Sequence, residues 1–311
     1  MLPWLLVALL GLSVAEVAAH VRIRSAVPAA ADHRAAADFV RAGFRPSEAI
    51  VAAPDWHDPV VRRQLGDLIG FAAAGRSDLS RFDGLWVVAI RGARAWDEPD
   101  AAPDQQREFG GVTVRHYPLT PAPITHDFVA TAHDAKVELD QGGDRPPRPC
   151  RTVDGRPGPG GGLGKAVIAP ARRAVCHDKK KQAFVAPLVM EDLELRPRHC
   201  IWQPALGPRP LRVTFDDVPL GQRMVLHGGL YYEHERMREG PPVHVRVLVD
   251  GKPRGRMIHE DGDGWVRVEF PTGGRGTGGR GQVSVEVSSK TGRRRGFCWE
   301  ATTRADAGGA K

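Results

Sequence analysis

Between Phe184 and Arg304 the apolar residues recur at every second position, and that period admits little besides antiparallel β-structure. Leu211, Val213 and Phe215 alternate with Arg212, Thr214 and Asp216, and Val243, Val245, Val247 and Val249 alternate with His244, Arg246, Leu248 and Asp250. Val266, Val268 and Phe270 repeat the pattern, as do Val283, Val285 and Val287. Each such strand has one face for a core and one for water. Turn signals such as Asp250-Gly251 and Asp261-Gly262-Asp263-Gly264 separate them. Roughly eight or nine strands in about 120 residues predict an antiparallel β-sandwich, a jelly roll, over 183–304.

Upstream the period is mixed. Residues 29–43 read as a helix ended by Gly43, and Ala49-Ile50-Val51-Ala52-Ala53 as a buried strand. Asp58 is placed to cap a second helix with Pro59 in its first turn; Val61, Leu65, Leu68, Ile69 and Ala72 keep helical spacing toward Gly75. Leu85–Ile90 is a second strand, so 48–91 predict a β-α-β unit with a parallel pair. Val112–Tyr117 and Phe128–Leu139 are expected to extend that sheet. The fold class expected is α+β multidomain: a small α/β domain over 20–140, then the sandwich.

Residues 141–182 lack periodicity and contain Pro157-Gly158-Pro159-Gly160-Gly161-Gly162, which predicts a linker without a core. They are also basic. Between Arg145 and Lys181 ten Lys or Arg face only Asp154 and Asp178, and this +8 leaves the rest of a chain of formal charge +7 nearly neutral. Basic residues in a solvated connector, without interleaved aromatics or a recognisable nucleic-acid motif, give no reason to expect a nucleic-acid partner; weak attraction to anionic envelope glycans or headgroups is the sharper reading. The glycines form no phosphate cradle, because Gly164-Lys165 is followed by Ala166 and not Ser or Thr. No cofactor is expected.

Residues 1–19 are an apolar run interrupted by Glu16 and ending in Val17-Ala18-Ala19, the spacing of a signal-peptidase site. The flanks are reversed, with no Lys or Arg before the run and Arg22 and Arg24 after it. A signal peptide, a retained membrane anchor and the last helix of a longer membrane protein all stay open. Residues 305–311 are expected to be a disordered tail. With export, Cys150, Cys176, Cys200 and Cys298 read as two disulfides among three pairings. Cys150–Cys176 would close the basic loop, and Cys200–Cys298 would join the opening and closing strands of the sandwich. A zinc site from Cys176-His177 and His199-Cys200 is the weaker alternative, since adjacent Cys-His pairs rarely offer both side chains to one ion and no CxxC occurs; no metal is expected.

Two resemblances add to this. Asp67-Leu68, Gly75-Arg76-Ser77-Asp78-Leu79 and Leu85-Trp86-Val87-Val88, following the apolar run, resemble the extracytoplasmic tail of lipid-linked-sugar glycosyltransferases of the dolichyl-phosphate-mannose mannosyltransferase type, over about residues 1–100. Those enzymes carry their catalytic acid in a membrane bundle, so the resemblance transfers no catalytic residue. Residues 184–304 are similar to galactose-binding-like sandwiches in strand count and in the closing segment Gly296-Phe297-Cys298-Trp299-Glu300-Ala301.

Sugar recognition asks for a flat apolar face and for planar or charged groups that reach hydroxyls. Alternation that buries Val266, Val268 and Phe270 places Trp265 beside Arg267 and Glu269 on the wetter face. Tyr231, Tyr232, His234 and Arg236 follow at a strand end, where loops meet ligands. These seven residues are the expected glycan site, with an envelope glycan or glycolipid as partner and the membrane as a second partner if the first segment is retained. Hydrolase chemistry fits less well: there is no G-x-S-x-G, and Ser77 and Ser80 near Asp78 and Asp83 lack a neighbouring base. The pairs Glu233/Glu235 and Asp261/Asp263 are too close along the chain for glycosidase work, and calcium at Asp261 and Asp263 lacks further oxygen ligands. The rival site is Asp55 and His57 at the carboxyl end of a strand, which an enzyme acting on envelope carbohydrate would use. A purely structural module positioning a membrane partner is the third reading.

Overall fold

A computed structural model describes residues 2–25, 27–157, 167–177, 182–273 and 279–305. The expected Gly158–Gly162 run, Lys165, Lys179–Lys181 and the tail from 306 lie outside the described residues. The chain divides into two compact units, one of residues 1–73 and 78–121, the other of 74–77 and 122–311.

The first unit opens with α1 (Leu2–Ser25), whose apolar side chains Trp4, Leu9, Leu10 and Val14 are exposed. Among the described residues no helix is long and apolar enough to cross a membrane, and the expected anchor gains no support here. Next come α2 (Ala30–Gly43), β1 (Glu48–Ala53), a 3-10 turn (Asp55–His57), α3 (Asp58–Leu65) and α4 (Phe71–Ala74). The strands β2 (Gly84–Ile90), β3 (Gln105–Phe109) and β4 (Val112–Pro118) follow. They form a sheet in the order β1-β2-β4-β3, with β1 and β2 parallel and the other pairs antiparallel. Both faces are covered. Ile50, Ala52, Trp86 and Val88 pack with Val40, Val61 and Leu65, while Val51, Leu85 and Val87 pack with Phe82 and Tyr117 on the other side. Strands buried on both faces read as unbroken apolar runs, which is why β1 and β2 do not alternate. The helix expected to reach Gly75 stops at Leu65, because Gly66 and Gly70 each cost a helix about 1 kcal/mol relative to alanine. Asp58 is inside α3 rather than its cap, and it binds Arg62 one turn on.

The second unit is the sandwich. Its early strands are β5 (Ile124–Asp127), β6 (Lys136–Leu139), β7 (Arg148–Pro149), β8 (Arg151–Asp154) and β9 (Arg172–Val175). Then come β10 (Phe184–Glu191), β11 (Pro197–Trp202), β12 (Leu211–Pro219), β13 (Arg223–Leu230) and a one-turn helix, α5 (Tyr232–Glu235). The last are β14 (Val243–Val249), β15 (Lys252–His259), β16 (Val266–Pro271), β17 (Arg280–Ser289) and β18 (Phe297–Arg304). One sheet runs β16-β13-β18-β11-β10-β9-β8 with β5 also on β18; the other runs β15-β14-β17-β12-β6-β7. The pairings within both are antiparallel.

Two expectations change here. Residues 128–139 do not extend the first sheet: within them Lys136–Leu139 form β6, which pairs β12 of the sandwich, and the preceding β5 pairs β18, so the main body of the second unit begins at Ala122. The stretch 141–182 is not structureless either, since β8 and β9 pair and continue the sheet onto β10. The disulfides Cys150–Cys176 and Cys200–Cys298 are both formed. The first closes the β8–β9 excursion; the second ties β11 to β18.

Between the sheets lie Val213, Phe215, Val245, Val247 and Val285, alternating residues of the sequence pattern, together with Phe128, Leu226 and Trp299. Gln203 is fully buried among them and satisfied at both ends of its amide. Its Oε1 accepts from Trp299 Nε1 at 2.7 Å, and its Nε2 donates to the carbonyls of Leu211 (2.7 Å) and Val285 (3.0 Å). Replacing Gln203 by leucine strands one N–H and two carbonyls, and unfolding in urea should show a loss of about 3 kcal/mol. Chain-entropy loss grows with the loop that a crosslink closes, here 98 residues for Cys200–Cys298 against 26 for Cys150–Cys176. Paired Cys→Ala changes at 200 and 298 should therefore cost roughly 1 kcal/mol more than at 150 and 176, in the same urea assay.

Candidate functional site

The residues expected to bind glycan fall in two places within the sandwich. Trp265 packs over Gly229, where a Cβ would lie 2.9 Å from the indole. Its Nε1 donates to Ser77 Oγ at 2.9 Å, and the Arg198 guanidinium stands 5.4 Å from the ring centroid. Arg198 is held there by Asp192, Nε to Oδ2 at 2.7 Å, both buried. Arg267 and Glu269 are exposed on β16, but they pair with each other at 2.6 Å, and Arg223 adds a 3.5 Å contact to Glu269. The polar groups of this patch are thus engaged by protein.

The second place is the turn after β13. Instead of a strand end, Tyr231–Arg236 form α5 and its flanks: Tyr231 is the N-cap residue and Arg236 the C-cap. Tyr231 is buried, edge-on to Tyr232 at 4.9 Å and to His234 at 5.4 Å, and burial raises its phenol above the ordinary range. Tyr232 stays half-buried, its hydroxyl donating to Glu233, with Arg236 5.7 Å from its ring centroid. His234 is also half-buried. Its Nδ1 accepts the Gly296 N–H at 3.1 Å. Burial, then the charges of Arg295 and Arg294, push its pKa down to about 4, so the neutral ring carries its proton on Nε2 as a donor.

His234 forms one wall of a cavity of about 90 Å³ that is also lined by Glu239, Gly240, Arg293, Arg294 and Arg295. The sequence reading passed over these last residues, although three consecutive arginines before Phe297 were a visible signal. Each guanidinium has a different status. Arg295 is buried and fixed: it makes a forked ion pair with Asp261, Nη1 to Oδ1 at 2.7 Å and Nη2 to Oδ2 at 3.2 Å. It also donates to the carbonyls of Pro241 and Arg294. Gly240 is required beside it, since a Cβ there would lie 2.0 Å from the guanidinium, and the Gly240 N–H donates to Asp261 as well. Arg294 pairs with Glu239 at 3.1 Å across a solvent-exposed gap. Arg293 is exposed and makes no hydrogen bond or ion pair among the described residues.

Beneath this surface Glu235 and His259 are wholly buried, 3.9 Å apart. Glu235 Oε1 accepts the N–H groups of Gly262 (3.2 Å) and Gly264 (2.6 Å), while His259 Nε2 donates to the Gly264 carbonyl at 2.8 Å. Among the described residues Glu235 Oε2 and His259 Nδ1 have no partner. Burial outweighs the two backbone bonds and lifts the Glu235 pKa from 4.5 to about 7. Asp261 and Asp263, weighed above for calcium, are used by Arg295 and by the Glu260 N–H. Among the described residues no group of three or more His, Cys, Asp or Glu is placed to hold a metal ion.

In the first unit, Asp55 is exposed on the 3-10 turn and His57 is buried against His33, ring centroids 5.1 Å apart. His57 Nε2 is buried without a partner among the described residues, and burial lowers the imidazole pKa. The exposed ring of that turn is Trp56, with Arg91 5.8 Å from its centroid.

No family model and no curated protein matches the chain. Solved structures with partial likeness include the CBM51-2 and INT domains of Clostridium perfringens ZmpB, at a TM-score of 0.31 and 8% identity over 55% of this chain and 37% of that one. A CBM51 from Clostridium perfringens GH95 in complex with methyl-galactose has a TM-score of 0.28 and 9% identity, over 38% and 81%. The tandem CBM51 modules of the family 98 glycoside hydrolase Sp3GH98 from Streptococcus pneumoniae SP3-BS71 have 0.30 and 12%, over 64% and 57%. All three are carbohydrate-binding modules. At TM-scores this far below 0.5 the likenesses carry no weight for ligand or reaction, and the sandwich is established by its own strand pairing. None of the comparisons supports the mannosyltransferase resemblance of residues 1–100.

Glu235 yields a pH-dependence with a definite sign. A carboxyl with a raised folded pKa contributes stability present below 4.5 and lost as pH rises through about 7. His234, lowered from 6.5 to about 4, works the other way: its contribution is present above 6.5 and lost as pH falls toward 4. Glu235→Gln should therefore gain on the wild type between pH 5 and pH 8, read as the difference in urea midpoints. A constant difference across that range would show that Glu235 does not titrate there.

Proposed function

We propose that this chain is an extracytoplasmic, non-enzymatic protein that binds glycan at one end of its β-sandwich, at the turn formed by α5 and the β17–β18 connection. The cavity carries the reading: it offers a fixed imidazole N–H from His234, an uncommitted guanidinium from Arg293 and a carboxylate from Glu239. Such planar and charged groups match sugar hydroxyls, and Tyr232, half-buried on the same short helix, supplies an apolar ring face. His234 acts as a hydrogen-bond donor, because its low pKa leaves it no proton to give as an imidazolium near pH 7. The two disulfides support maturation in an oxidising compartment.

A glycan array with the full chain, His234→Ala and Trp265→Ala tests the site. Specific signals from the wild type that fall at least tenfold in His234→Ala, with Trp265→Ala retaining them, are expected. Loss confined to Trp265→Ala would move the ligand to the strand patch, and a wild type that retains no glycan would end the proposal.

A further inference from the structure

We infer that the saccharide taken by this cavity is acidic, presenting a carboxylate or sulfate to Arg293. The inference rests on the glycan-binding reading and narrows it to a ligand class. Three guanidinium groups line the cavity, yet their charges are not equally available. Arg295 is neutralised by the buried fork to Asp261 and is locked by two carbonyls. Arg294 shares its charge with Glu239 in an exposed pair. Arg293 has no partner among the described residues. Arg236, Arg238 and Lys290, each next in the chain to the lining residues Met237, Glu239 and Thr291, are exposed as well.

Size points the same way. A cavity of about 90 Å³ is smaller than the roughly 150 Å³ that encloses a six-membered ring, so it admits a substituent and leaves the ring on the rim. A carboxylate or sulfate has that size, and its oxygens match the planar fork of an arginine. The His234 Nε2–H adds a neutral donor at the same wall, suited to an anion oxygen at any pH above its own titration.

The test is titration calorimetry of the full chain with matched ligands: trigalacturonate against its methyl ester, a sulfated oligosaccharide against its desulfated form, and sodium sulfate alone. At least one acidic ligand should bind tenfold or more tighter than its neutral match and weaken as salt rises from 50 to 500 mM. Arg293→Gln should lose about tenfold for that ligand with its urea midpoint unchanged, and Glu239→Gln, which frees Arg294, should bind it several-fold tighter. Equal binding of acidic and neutral forms, indifferent to Arg293→Gln, overturns the acidic assignment while leaving glycan binding standing. Sodium sulfate competing as well as the oligosaccharide reduces the site to a bare anion site and overturns the assignment to a saccharide. No binding to either set, together with a silent array, overturns both.

Discussion

The buried amide of Gln203 bridges the two sheets of the sandwich from within their core. Gln203 accepts a hydrogen bond from Trp299 on β18 and donates two to carbonyls on β12 and β17, so each of its atoms that must leave water finds a partner in one sheet or the other. Apolar contacts supply most of the cohesion between the sheets but are tolerant of sliding. A directional bond network in a dry interior is not, because any shift leaves a group unsatisfied at a cost of about 1–3 kcal/mol. The register in which β18 faces β12 and β17 is therefore set at this point. The loops at the sandwich end inherit it, the β17–β18 turn among them.

The same logic, with charge added, organises the cavity. Arg295 and Asp261 are both buried, and the pair is tolerated because carbonyls and the Gly240 amide use the remaining hydrogen-bonding capacity. Three loops meet there: the one leaving α5, the Asp-Gly-Asp-Gly turn and the arginine turn. With Arg295 committed inside, Arg293 and Arg294 are left outside, where Arg294 finds Glu239 and Arg293 finds no partner among the described residues. The basic character of the site follows from a structural requirement one or two residues away.

Much of the fold was legible because burial writes a period. The valines of β14 and β17 and the Leu211-Val213-Phe215 run of β12 alternate since one face of each is core. Where that condition fails, so does the reading. The strand β3 (Gln-Gln-Arg-Glu-Phe) is an exposed edge with no apolar rhythm, and it was not anticipated. Residues 128–139 read as strand-like, but of them Lys136–Leu139 pair as a strand, with residues more than 70 positions downstream, and nothing local says which sheet a strand joins. The cysteine pairing was accessible from even count and strand position. The cavity was only half accessible: Tyr231, Tyr232, His234 and Arg236 drew notice as a cluster, whereas the meeting of His234 with Arg293–Arg295 spans about 60 residues and depends on the β13–β18 pairing. Trp265 looked like an open platform from alternation alone, which cannot foresee that Ser77 and Arg198 would occupy it.

The Cys200–Cys298 bond encloses the stretch of the sandwich from β12 to β17, including α5 and both loops that meet the Asp-Gly-Asp-Gly turn. A host protease that nicked any of those exposed connections would produce two polypeptides without releasing either, since the sulfur bridge keeps the severed ends tethered through paired strands. Breakage of the backbone and departure of the fragments are thereby separate events, and the second waits on a reductant.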